Sequence, residues 1–221
     1  TMPLSSILST TDNDWLGATK NNIKMIKDFL IINCTGKNDT IALKIDNKFF
    51  LKKLQTNIIK YEALSLVILG FIKEHNVEIS QKFSILVNSG PGSFSGIRIS
   101  LAIAKGIKLV KNLNIFCYNN FTLNAAPYLT KKEKLISIVK TNNFYYFSEV
   151  NFFKNYKFTQ PKRLDPGYLG KDNYLVVASK EIKNDEIINN IEDKKVCIAE
   201  FNLKNVDILI ENNLLENELI N

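Results

Sequence analysis

Gly90, Gly92 and Gly96, with Pro91, Ser93, Ser95 and Arg98 among or just after them, fall in the stretch NSGPGSFSGIRISLAIAKGIKL from Asn88 to Leu109. Glycines at this density let backbone amides approach a ligand. Ser93 or Ser95 can cap the helix predicted to follow, whose N-terminus favours an anion. The chemistry on offer is phosphate binding, nucleophilic attack by a serine, or nothing beyond turning the chain. No Gly-Lys-Ser/Thr follows at P-loop spacing, and the dinucleotide fingerprint is missing. A nucleophile elbow needs glycines two residues to either side of its serine, and neither Ser93 nor Ser95 has them. The sole histidine, His75, closes an apolar segment where solvation is expected rather than base catalysis. A serine hydrolase is therefore excluded. Weak nucleotide binding by Gly90, Gly92, Ser93, Ser95, Gly96 and Arg98 stands beside a purely architectural loop.

Other reactive residue types give less. Cys34, Cys117 and Cys197 are far apart and lack C-x-x-C spacing, so they read as reduced packing residues. A net charge of +7 invites nucleic acid, but the cations are scattered lysines with arginine only at Arg98 and Arg163. Lysine is a point charge, whereas bidentate readout favours arginine, so a generally basic surface is favoured over a dedicated RNA groove. The longest apolar run, Ala63 to Ile72, is about half of the roughly 20 residues that span a bilayer. Without a signal-peptide pattern, the expectation is a cytoplasmic protein with no membrane contact.

These residues must be positioned by regular elements. Thr1 to Lys24 is polar and aperiodic, a flexible extension that Trp15 and Leu16 could pin to a surface. From Phe29, FLIINCTGKNDTIALKIDNKFFLKK reads as a three-strand meander with turns at Gly36–Asp39 and Asp46–Asn47. Ile58 to Glu74 predicts a helix apolar on almost every side, and FSILV, Phe83 to Val87, a buried parallel strand entering the glycine loop. A helix over Ile97–Lys111 places Ile99, Ala102, Ile103, Gly106, Leu109 and Val110 on one stripe. NIFCY, Asn114 to Tyr118, completes a strand–helix–strand unit. Beyond it lie a weak helix over Leu123–Leu129, a hairpin from KLISIVK and FYYFSEVNFF, a strand in NYLVVAS and a helix over Ile182–Ile191. The alternation predicts an α/β protein in two lobes with the seam near Asn119–Leu123. Residues 1–24 form the extension, 25–120 the first lobe and 121–221 the second.

GPGSFSGIRISLAIAKGI, Gly90 to Ile107, resembles the signature of the TsaB (YeaZ) family, in which G-P-G-S-F-T-G-x-R precedes a helix with an A-K-G core. Ser95 stands for the family's Thr, while Arg98 and Ala104-Lys105-Gly106 match directly. The likeness runs loosely from Phe29 to about Val150. It implies a two-lobed actin/sugar-kinase/Hsp70-like fold with mixed sheets flanked by helices. It also implies a non-catalytic subunit that binds the TsaD transferase, joins the ATPase TsaE through the complex, and serves threonylcarbamoylation of adenosine 37 in tRNA. tRNA would be reached only indirectly, and the chain would form a homodimer when TsaD is absent. No cofactor would be required, with ATP or ADP bound weakly at most.

The sequence departs from the family in telling places. Its first strand ends in Asn33 where the family has Asp, and a neutral amide holds a divalent cation poorly. Lys140, Asn142 and Asn143 replace an Asp and two Arg in the second lobe. No catalytic residue and no metal ligand are therefore expected. The two long helices carry more apolar face than one small lobe should hide, with Leu66, Leu69, Leu101, Ala104, Lys105 and Lys108 as the expected partner surface. The alternatives are a sugar-kinase-like phosphotransferase, a divergent paralogue acting only as a homodimer, and direct tRNA recognition by the lysine-rich surface.

Overall fold

The computed structural model describes residues 26–36, 39–54, 63–131, 134–141, 143–151, 156–165, 168, 174–191, 196–200 and 202–217. The expected extension, Thr1 to Lys24 with Trp15 and Leu16, lies outside them, as does Asn142.

β1 (Phe29–Asn33), β2 (Thr40–Ile45) and β3 (Lys48–Lys53) form the expected antiparallel meander. Asp46 and Asn47 turn it at φ 48° and 63°, left-handed values that a short polar side chain tolerates. β4 (Ser84–Asn88) pairs parallel with β1, and β5 (Asn114–Tyr118) parallel with β4. Between β4 and β5 runs α2 (Phe94–Lys111), which follows α1 (Leu64–Glu74) in the chain and starts three residues earlier than the apolar stripe suggests. Its start is set by Ser93, whose hydroxyl accepts from the Gly96 amide at 3.2 Å.

The second lobe repeats this plan. β6 (Leu135–Thr141) pairs antiparallel with β7 (Phe144–Asn151), which carries the short β8 (Lys157–Phe158) and β9 (Lys162–Arg163). β10 (Leu175–Ser179) pairs parallel with β6 and β11 (Val196–Ala199) parallel with β10. With a last short strand, β12 (Glu216–Asn217), the first sheet runs β12-β5-β4-β1-β2-β3 and the second β11-β10-β6-β7-β8, so β1 and β6 are topological counterparts. No sequence repeat betrays this duplication. The weak helix is α3 (Asn120–Ala125), which continues as a 3-10 turn over Ala126–Lys131. The helix expected over Ile182–Ile191 is broken into a 3-10 turn at Lys180–Ile182 and the four-residue α4 (Glu186–Asn189).

The division at residue 121 needs correction. α5 (Leu203–Glu211) packs Val206, Leu209 and Ile210 against Phe29, Ile31 and Phe116, and β12 (Glu216–Asn217) pairs antiparallel with β5. Lys44 on β2 and Asp207 on α5 close the join at 2.7 Å. Residues 203–217 thus belong to the first lobe, and the second is inserted into it. The apolar stripe of this segment fits a sheet face over 80 residues away in sequence, a pairing that no local pattern signals.

α1 and α2 cover one face of the first sheet, and α5 with Leu123 and Ala126 the other. The packing face of α2 also differs from the expected stripe. Gly96, Ser100 and Ala104 are buried against the sheet, whereas Leu109 and Val110 are 87% and 79% exposed. Small residues let the helix lie close to the strands and leave its larger apolar residues outward. His75 caps α1 and is not simply solvated: its ring stacks on Phe50 at 4.0 Å and meets Phe71 edge-on at 4.8 Å.

Candidate functional site

A cleft of about 640 Å³ opens between the lobes where β1 and β6 end. Asn33, Thr35, Gly36 and the segment Pro91–Phe94 form its first-lobe wall, and Val139, Lys140, Thr141, Ser179, Ile182 and Asp185 much of the opposite wall. Duplicated sheets that place equivalent strand ends face to face create such a crevice without any special side chain.

Its first-lobe floor is a net of carboxamides. Asn88 is fully buried at the end of β4, and its Nδ2 donates to Asn33 Oδ1 at 2.9 Å and to Asn120 Oδ1 at 2.7 Å. Its Oδ1 accepts from the Gly90 amide at 2.9 Å. Asn120 Nδ2 donates to the Pro91 carbonyl at 2.8 Å, and Thr35 Oγ1 donates to Asn33 Oδ1 at 3.2 Å. The side chains ending β1 and β4 and beginning α3 therefore hold the glycine loop by its backbone.

The loop is shaped from both sides. Gly90 has φ 101°, and a Cβ there would meet Ile97 Cδ1 at 2.8 Å. The Gly90–Pro91 peptide is cis. Gly92 presses against Thr35, and the Ser93 amide donates to the Thr35 carbonyl at 2.7 Å. The amides of Gly90, Ser93 and Gly96 are thus committed to Asn88, Thr35 and Ser93 within the protein. Those are donors that a phosphate would need. On the opposite wall the Lys140 ammonium pairs with Asp185 at 2.9 Å, and Tyr145 donates to the same Asp185 Oδ2 at 2.7 Å. The Asp185 contact holds the Lys140 ammonium above its ordinary range, and burial raises the Tyr145 phenol.

Of the residues suggested for nucleotide binding, Gly92 and Ser93 line the cleft, Gly90 and Gly96 are buried beneath it, and Ser95 and Arg98 point to solvent. The sequence reading missed Thr35, Asn88 and Asn120. A signal was present: Asn88 and Asn120 end or follow predicted strands, where an amide can bridge loops. Among the described residues no cluster of His, Cys, Asp and Glu could hold a metal, and no helix is long and apolar enough to cross a membrane.

No family-level sequence profile matches the chain. Over 91 residues it is 34% identical to the tRNA threonylcarbamoyladenosine biosynthesis protein TsaB of Buchnera aphidicola subsp. Baizongia pistaciae (strain Bp), a match covering 40% of each chain. The chain thus spans about two fifths of the length of the curated relative it matches. YeaZ from Pseudomonas aeruginosa has the same fold at TM-score 0.61, over 87% of this chain and 96% of that one, with 11% identity. A second Pseudomonas aeruginosa structure, described as an uncharacterized protein with similarity to peptidase YEAZ, gives 0.63 over 87% and 95%, also at 11% identity. The sequence likeness to TsaB is confined to those 91 residues, and the likeness to the two Pseudomonas aeruginosa structures is one of fold.

The TsaB/YeaZ resemblance also carried the expectation of a partner surface, and its residues divide on exposure. Leu66 and Leu69 stand out from α1 at 71% and 55% exposure. Leu101, Lys105 and Lys108 are half-buried on α2. Ala104, expected on the exposed face, is fully buried in the core beneath that helix. Ala102, Gly106, Leu109 and Val110 are among the outward residues of α2.

Proposed function

We propose that this chain is a non-catalytic docking subunit that binds a TsaD-type transferase and supports threonylcarbamoyladenosine formation in tRNA. The observation that carries the reading is the outer surface of α1 and α2. Leu66, Leu69, Leu109 and Val110 are apolar and exposed there, and nothing lies within 4 Å of a Cβ placed on Gly70 or Gly106. Large apolar groups beside open glycines on two helices over one sheet face suit close packing by a partner's helices. When that partner is absent, the same surface joins two copies of the chain, and a TsaE-type ATPase joins through the transferase.

In this reading the cleft performs no phosphoryl transfer and needs no nucleotide or metal. A magnesium nucleotide, which an actin-like fold implies, finds a poor fit: Asn33 is an amide, the Gly90, Ser93 and Gly96 amides are bonded internally and Lys140 is paired with Asp185. The test is calorimetric titration of the chain with the TsaD homologue from its own source. Native protein should bind, and Leu66→Glu and Leu109→Glu should weaken binding by roughly 30-fold or more, as an unpaired charge in a desolvated interface does. Native-strength binding by both folded variants would remove these helices from the interface. ATP turnover by the pure chain would refute the non-catalytic role.

A further inference from the structure

The chain's arginines share a setting that the docking reading does not use. In a sequence whose other cations are all lysines, Arg98 lies over the Phe94 ring at 5.0 Å and Arg163 over the Phe144 ring at 4.0 Å. Both rings are open to solvent, Phe94 at 71% and Phe144 at 42% exposure. Among the described residues neither guanidinium has a carboxylate partner.

The pairs occupy opposite lobes beside the same cleft. Phe94 lines it at the start of α2. Phe144 is the register partner of Thr141 across the β6–β7 hairpin, and Thr141 lines the opposite wall. An exposed aromatic ring offers a stacking platform to a nucleobase, and a guanidinium lying over the ring keeps its edge donors for a phosphate. We propose that the two pairs form a bipartite contact for single-stranded RNA laid across the mouth of the cleft. Each ring can stack one base, so filling both platforms at once takes at least two bases of one strand. This goes beyond an indirect relation to RNA through a partner and rests on different residues from the docking face.

The experiment is fluorescence anisotropy of the purified chain with a fluorescein-labelled, mixed-sequence single-stranded RNA, with ATP and inorganic polyphosphate as competitors at equal phosphate concentration. RNA should bind, and both competitors should displace it poorly. Phe94→Leu and Phe144→Leu should each weaken binding roughly 5- to 150-fold, the range for one stacked base, at an unchanged melting temperature because both rings are exposed. Arg98→Gln and Arg163→Gln should each reduce the slope of log affinity against log salt by about 0.7, one phosphate contact on a single strand. Arg163→Lys keeps the charge and should restore the slope without restoring full affinity. No RNA binding, native affinity in both Phe variants, or displacement by polyphosphate as effective as by unlabelled RNA would each overturn the proposal. None of these outcomes would bear on transferase binding through Leu66 and Leu109.

Discussion

Gly92 and Thr35 touch so closely that a Cβ on the glycine would lie 2.0 Å from the Thr35 carbonyl oxygen and 2.7 Å from its Cβ. The neighbour is backbone, held in turn by the Ser93 amide, so it cannot swing aside. Gly92→Ala should therefore destabilise the fold by about 3 kcal/mol, the upper end for overpacking, and lower the melting temperature by roughly 6–12 °C. Thermal denaturation of that variant decides the point, since a native-like melting curve would mean the loop can move away from Thr35.

The carboxamide net makes a sharper demand at Asn88. Its amide nitrogen serves two acceptors, so Asn88→Asp would set a carboxylate against the Asn33 and Asn120 oxygens. A charge left unpaired among buried acceptors should cost about 3–5 kcal/mol near neutral pH. Desolvation raises the folded-state pKa of the introduced carboxyl above its unfolded value. The variant's deficit should therefore grow as pH rises through that folded pKa and shrink in acid, where a protonated group can donate again. Urea unfolding at acid and neutral pH, compared with the native chain, measures this; a pH-independent deficit would contradict it.

On α2, two substitutions that look alike in sequence should behave oppositely. Ala104→Glu places a carboxylate in the core under the helix and should prevent stable folding, with loss of the cooperative thermal transition. Leu109→Glu, five residues on and exposed on another side of the helix, should change stability by no more than about 0.5 kcal/mol. Circular dichroism melts of the two variants separate the buried from the outward stripe.

Cys34 supplies a pH signature. Burial pushes its thiol from 9.0 to about 12, with Ser100 offsetting and Asp39 adding to the rise. A group whose folded pKa is raised stabilises the fold below its unfolded value. That contribution should be lost between pH 9.0 and about 12, at no more than about 1.4 kcal/mol per pH unit. Cys34→Ala should flatten this part of the stability curve relative to the native chain, while the buried Tyr118 phenol, raised by the same desolvation, titrates in both. In the native fold, iodoacetamide should modify Cys34 far more slowly than the half-buried Cys197.

Local signals made much of the fold legible. The meander, the parallel β4–α2–β5 unit and the β6–β7 hairpin follow from apolar runs bounded by turn residues, because each pairs neighbours in the chain. The return of α5 and β12 to the first sheet was not legible, since nothing in Leu203–Glu211 names a face formed by Phe29 and Phe116. Periodicity found the apolar residues of α2 but not its buried side, because Gly96, Ser100 and Ala104 contribute closeness rather than hydrophobicity. At the cleft, Gly90 and Gly92 were visible as glycines. Asn88 and Asn120 were visible only as amides at predicted strand ends, because the net they form depends on three chain ends meeting in space.

The return of residues 203–217 to the first sheet bears on the order in which a ribosome can build this protein. β5 pairs with β4 on one side and waits for β12 on the other, while Phe29, Ile31 and Phe116 wait for α5. During synthesis the inserted lobe emerges whole before the lobe that surrounds it can close. An apolar face and an open strand edge therefore stay uncovered through the translation of more than 80 residues after β5, a window in which a nascent-chain chaperone would find its binding site.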